Sequence, residues 1–157
     1  KGLEHRIGGL EKQAVTGNIS YDPNNHEEMV KVRAEKVARV ANFIPDVELN
    51  GDEDADLLIV GWGGTYGGLH TAVSAMQAEG KSIAHTHFNF ISPLPKNTAE
   101  VFAKFKKILV CELNNGQFVK ILQSELPEFN YLQYNKIQGL PFSKGQLIQE
   151  FNNLIEA

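Results

Sequence analysis

The sequence predicts an α/β fold, a three-layer sandwich on a mostly parallel sheet of about four to five strands. Three observations predict it. Short apolar runs rich in branched residues, at 57–60 and 108–111, have the character of strands covered on both faces. Each run ends in a turn rich in Gly or Asn, and each turn feeds an amphipathic helical pattern. Strand and helix patterns then alternate to the end of the chain, as in a parallel sheet held between helices.

Along the chain, residues 1–23 read as an extended connector, because Gly8-Gly9 and Thr16-Gly17-Asn18 break any regular period. A helix is predicted over about 25–43. Asn24 with Glu27, or Asn25 with Glu28, has capping-box spacing, and Val30, Ala34, Val37 and Ala41 form one apolar stripe. Pro45 stops it, and Gly51-Asp52-Glu53-Asp54 reads as a solvated loop. Residues 24–157 are taken as one domain. After the strand at 57–60, Leu69, Ala72, Val73 and Met76 mark a helix over about 66–79, with Gly80 as its stop. Residues 82–90 form the second strand, and Asn97 or Thr98 caps a short helix carrying Val101, Phe102 and Phe105. The third strand covers 108–113, a helix with Phe118, Ile121, Leu122 and Leu126 follows, and 131–137 is the fourth strand. The terminal helix covers 143–155, and an edge strand beyond these four is left open.

Bulk composition narrows the function classes. The 157 residues are 42% hydrophobic and 22% charged, ordinary values for a chain that buries a core. A net charge of −4 offers no basic field for nucleic acid or anionic membrane. No stretch approaches the roughly 18 apolar residues of a membrane span. Cys111 is the only cysteine, so the chain has no internal disulfide and no set of thiolates for an iron–sulfur or zinc site. It lies in an apolar run and reads as an inert core thiol. A cytoplasmic protein, and a piece of a longer chain, is the expectation.

Two strand-end loops carry the candidate site residues: Gly61, Gly63, Gly64, Thr65 and Gly67 after the first strand, and Glu112, Asn114, Asn115, Gly116 and Gln117 after the third. Ligands of open α/β sheets meet the carboxyl ends of strands. Backbone amides at the two helix starts are the expected anion donors. The glycine turn departs from the dinucleotide fingerprint in its spacing and in the bulky Trp62, and no acid ends the second strand to hold a ribose. It also lacks the Lys-Ser or Lys-Thr of a phosphate P-loop. In the second loop, capping accounts for Asn115, whereas Glu112 beside the apolar Cys111 requires a partner. His85 and His87 fall on one strand face, but with no third ligand at recognisable spacing they read as structural rather than metal-binding. No nucleophile elbow is present. No catalytic residue and no metal ligand is assigned.

Several of these segments, in order, resemble one family. They are Gly2-Leu3-Glu4-His5, Gly9-Leu10-Glu11, Thr16-Gly17-Asn18-Ile19-Ser20-Tyr21-Asp22-Pro23, the Gly61–Gly67 turn, Ser92-Pro93-Leu94-Pro95, the Glu112–Gln117 loop and Gln138-Gly139-Leu140-Pro141-Phe142. Together they look like the alpha subunit of 2-oxoacid:ferredoxin oxidoreductases, particularly the 2-oxoglutarate type, over nearly the whole chain. Gly64 stands where the family pattern has Ser.

The resemblance implies a C-terminal domain similar in fold to that of transketolase. It also implies a parent enzyme that uses thiamine diphosphate, Mg2+ and an iron–sulfur cluster to convert a 2-oxoacid and CoA to acyl-CoA, reducing ferredoxin. The implied partners are the rest of the alpha subunit and the thiamine-binding beta subunit. The piece itself is expected to be non-catalytic and to hold no cofactor, serving packing and the approach of CoA. A nucleotide-binding regulatory module, or the interaction domain of another transketolase-like subunit of the E1 type, is the competing expectation.

Overall fold

A computed structural model of the chain describes residues 2, 4 and 8–156. The connector residues Lys1, Leu3, His5, Arg6 and Ile7, and Ala157 at the other end, lie outside the described residues. The chain divides into two compact units, Lys1–Phe43 and Ile44–Ala157.

In the first unit, helix α1 covers Pro23–Ala38 and continues as a 3-10 turn over Arg39–Asn42. Its N-cap is Asp22, whose side chain accepts the Asn24 amide at 2.9 Å. The expected caps at Asn24 and Asn25 therefore shift by two to three residues. The cause is local: Pro23 occupies the first helical position, where its missing N–H costs nothing. None of the residues of α1 is buried. Glu11 bridges Arg33 at 3.0 Å and His26 at 2.6 Å, and the Arg33 guanidinium, ahead of the His26 contact, pulls its carboxyl down to about 2. An isolated antiparallel bridge, Lys12 to Ile19, folds the connector back on itself.

The second unit is a five-stranded sheet in the order β1-β3-β2-β4-β5. Its strands are β1 (Leu49–Asn50), β2 (Leu57–Trp62), β3 (Ile83–Phe88), β4 (Lys107–Glu112) and β5 (Tyr131–Asn135). β2, β3, β4 and β5 are parallel to their neighbours, and β1 pairs antiparallel with β3, Leu49 opposite Thr86. The helices are α2 (Tyr66–Ala78), α3 (Thr98–Phe102), α4 (Gln117–Glu125) and α5 (Lys144–Glu156).

Alternation along the strands divides the core in two. Leu57, Ile59, Ile83, Leu109 and Cys111 face Leu69, Val73 and Met76 of α2 and Leu147 and Phe151 of α5. Leu58, Val60, Ala84, Phe88, Ile108 and Val110 face Val101 and Phe102 of α3 and Phe118, Val119 and Leu122 of α4. The result is the three-layer sandwich that the sequence predicts. Phe88 meets Phe102 and Phe118 edge-on at 6.1 and 5.1 Å, a geometry worth about 0.5–1.5 kcal/mol per pair beyond area burial.

β1 is the edge strand that the sequence leaves open. It is placed by Asn97, whose side chain accepts the Val47 amide at 2.8 Å and donates to the Val47 carbonyl at 2.9 Å. Asn97 stands at the N-cap of α3, yet its side chain pairs with a residue 50 positions away rather than with its own helix. Gly80 does end α2: with φ at +77° it follows the cap residue Glu79, and its amide and that of Lys81 return to Gln77 and Met76.

Candidate functional site

β2 is the first strand of the parallel core, with β3 on one side and β4 on the other. The loops after β2 and β4 lead into α2 and α4, which pack on opposite faces of the sheet. This is a topological switch point, the position where open α/β sheets hold ligands.

The β2 loop is shaped by close packing. A Cβ built on Gly61 would fall 2.3 Å from Leu69 Cδ1 and 2.8 Å from Thr65 Oγ1, so only glycine lets the helix approach the strand this closely. Gly63, Gly64 and Thr65 form one 3-10 turn ahead of α2. The buried Thr65 hydroxyl accepts the Trp62 amide at 3.1 Å and donates to the Trp62 carbonyl at 2.9 Å. Gly63, Gly64 and Gly67 are exposed, and a Cβ at any of them would meet nothing within 4 Å.

At the end of β4, Glu112 is 0% exposed. One carboxylate oxygen accepts the Phe118 amide at 2.7 Å and the Trp62 indole N–H at 3.1 Å, and the other accepts the Val119 amide at 3.1 Å. A carboxylate over a helix N-terminus is favoured both by the unsatisfied amides and by the macrodipole. This is the partner that Glu112 required. Asn114, not Asn115, is the capping side chain, accepting the Gln117 amide at 2.9 Å. Asn115 is exposed, and Gly116 enters the helix at φ +72°, where a Cβ would meet Gln133 Oε1 at 2.7 Å. The amides of Gln117, Phe118 and Val119 are thus all engaged within the chain. At α4 the expected anion donation is corrected: an internal carboxylate and an Asn oxygen already occupy these donors.

The structure therefore brings Gly61, Trp62, Thr65 and Glu112 together at the tips of β2 and β4, where the half-buried indole bridges the two strand ends. Asn114, Gly116 and Gln117 shape the start of α4. A cleft of about 630 Å³ opens one strand over, at the ends of β3 and β2, and of the sequence candidates only Gly63 lines it.

The walls of this cleft include His85 and His87, which the sequence reads as structural, and residues that carry no motif. His85 and His87 of β3 lie on the α2 face, as their spacing predicts, and converge with His70 and Tyr66 of α2. Tyr66 stacks on His70 with ring centres 5.2 Å apart and an interplanar angle of 10°, and meets His87 edge-on at 5.1 Å. Desolvation, ahead of the nearby His87 and His70, pushes His85 down to about 4, and desolvation also lowers His87. Buried imidazole is held neutral because water no longer stabilises its charged form. His85 Nε2 and His87 Nδ1 have no hydrogen-bond partner among the described residues. No three His, Cys, Asp or Glu side chains among the described residues are grouped to hold a metal ion. Two sequence signals point to this cluster, the period-two histidine pair and the i, i+4 spacing of Tyr66 and His70. Neither shows that β3 and α2 present them to the same space.

No family model matches the chain. It is 36% identical over 157 residues to the 2-oxoglutarate oxidoreductase subunit KorA of Mycobacterium tuberculosis, covering 99% of this chain and 23% of that subunit. It is 34% identical over 116 residues to the alpha subunit of 2-oxoacid:ferredoxin oxidoreductase 1 of Aeropyrum pernix, covering 69% of this chain and 18% of that one. Among solved structures, the 2-oxoglutarate:ferredoxin oxidoreductase of Magnetococcus marinus, with 2-oxoglutarate, coenzyme A and succinyl-CoA bound, superposes with a TM-score of 0.87 at 30% identity. That match covers 97% of this chain and 27% of the solved one. The chain thus spans about a quarter or less of the length of these relatives. It is a homologue of the alpha subunits of 2-oxoglutarate:ferredoxin oxidoreductases.

Proposed function

We propose that this chain is the C-terminal domain of the alpha subunit of a cytoplasmic, thiamine-diphosphate-dependent 2-oxoglutarate:ferredoxin oxidoreductase, transketolase C-terminal-like in fold and without a catalytic set of its own. The observation that carries the reading is a match that runs along this whole chain: nearly every one of its residues aligns with part of one KorA subunit and superposes on part of one solved enzyme of that activity. The reaction it serves oxidatively decarboxylates a 2-oxoacid to an acyl-CoA and passes the electrons to ferredoxin.

The residues present do not fit the cofactors of that reaction. The single thiol, Cys111, is buried in β4, and burial raises its pKa, whereas an iron–sulfur cluster takes about four accessible thiolates. The strand-end carboxylate, Glu112, is committed to Trp62 and α4. On this reading thiamine diphosphate, Mg2+ and the cluster are held by the rest of the alpha subunit and the beta subunit. The role assigned to this chain is to brace them. Trp62 and Glu112 lock the two strand tips into one platform, and the open backbone of Gly63, Gly64 and Gly67 leaves room for a neighbouring surface or for CoA to approach. A nucleotide-binding module would use the amides at the start of α4 in the switch-point crevice, and those of Gln117, Phe118 and Val119 are engaged within the chain.

The test is reconstitution of the full-length alpha subunit with its beta subunit. Ferredoxin reduction that depends on both 2-oxoglutarate and CoA is the expected result; no such activity, or turnover by this chain alone, overturns the reading. Gly64→Asp and Gly67→Asp test the CoA element by itself: each is expected to raise the KM for CoA, and an unchanged KM removes CoA from the role of this surface.

A further inference from the structure

The cleft beside β3 has a charge pattern of its own. The carboxylates of Asp46 and Glu48 stand exposed at its rim, Asn50 adds an amide, and no Lys or Arg among the described residues lines it. His85, held down to about 4 by desolvation, brings no positive charge at neutral pH, and desolvation lowers His87 as well. Tyr66 remains 50% exposed although stacked on His70, so an aromatic face is offered to the cleft. Such a site repels phosphate and carboxylate ligands. It suits a planar cation that donates several hydrogen bonds and stacks on rings, and a guanidinium combines these properties where an ammonium does not.

We propose that the cleft receives an arginine side chain from a neighbouring protein chain, its guanidinium lying against the Tyr66–His70 stack and donating to Asp46 and Glu48. The occupant is argued from charge complementarity. The inference goes beyond the enzymatic reading and rests only on its claim that the chain works inside an assembly.

Two measurements test it without any turnover assay, so it fails separately from the enzymatic reading. The full-length polypeptide is titrated with N-acetyl-arginine methylamide and with the citrulline analogue, which keeps the planar end group and loses the charge, while the Tyr66 and histidine side-chain NMR signals are followed. The arginine compound is expected to shift Tyr66, His85 and His87 at least about tenfold more tightly than the citrulline compound. The double variant Asp46→Asn, Glu48→Gln should erase that difference. Equal responses, no response to either compound, or a stronger response to inorganic phosphate overturns the proposal.

The second measurement is sedimentation of the subunit with its partner subunit. Asp46→Lys combined with Glu48→Lys is expected to weaken assembly by about tenfold or more, with circular dichroism and melting temperature unchanged. Unaltered assembly overturns the partner arginine and leaves a free guanidinium compound as the source of any binding in the first measurement.

Discussion

The indole N–H of Trp62 donates to Glu112 Oε1 at 3.1 Å, joining the tips of two adjacent parallel strands across 50 residues of sequence. The same carboxylate holds the first turn of α4 through Phe118 and Val119. One buried side chain thereby fixes a strand end, a helix start and the neighbouring loop.

Removing that carboxylate strands three donors in a buried site. Glu112→Ala is expected to cost about 3 kcal/mol or more, since each unsatisfied buried group costs about 1–3 kcal/mol. Trp62→Phe, which leaves the carboxylate its two backbone amides, should cost about 1–2 kcal/mol. Urea unfolding checks both. Because Trp62 is the only tryptophan, its emission reports on this junction directly, and Glu112→Ala should change it in the folded state.

The glycines of the β2 loop separate by the space around them. Gly61→Ala drives a methyl into Leu69 Cδ1 and should destabilise by about 1–3 kcal/mol. Gly67→Ala, in the first turn of α2 with nothing near its Cβ, should stabilise by up to about 1 kcal/mol. Equal melting temperatures for the two variants would contradict this packing.

Stability should fall on mild acidification. His85 is held down to about 4 in the fold against an ordinary value of 6.5, so between these values the unfolded chain binds more protons than the native one. The contribution is complete above pH 6.5 and is lost as the pH drops toward 4, with a slope of about one proton from His85. His87 adds in the same direction. Unfolding free energies measured across this window should show the slope, and His85→Gln should flatten it.

Cys111 should be silent to thiol reagents. It is fully buried, and desolvation, with Glu150 and Glu112 adding to it, raises its pKa well above the ordinary thiol value. Labelling by an aromatic disulfide reagent should proceed only in denaturant. Stoichiometric reaction of the native protein would show that the core between the sheet and helices α2 and α5 opens around β4.

The sequence by itself determined the layered architecture. The runs at 57–60 and 108–111 are apolar at every position because both faces of these strands are covered, and the helical stripes through Leu69 and Phe118 supply the covers. These are local periods, set by backbone geometry and readable without knowing the strand order. Tertiary structure alone decided what the strand tips do. Glu112 reads as a ligand group until β4 lies beside β2 and the Trp62 indole reaches it. The edge strand β1 is two residues long, too short for any period, and side-chain bonds from Asn97 to Val47 help place it. His70, His85 and Tyr66 share a cleft because α2 crosses back over the strand that follows it. Contacts of this kind depend on which elements become neighbours, a property of the whole chain's packing that short-range spacing does not encode.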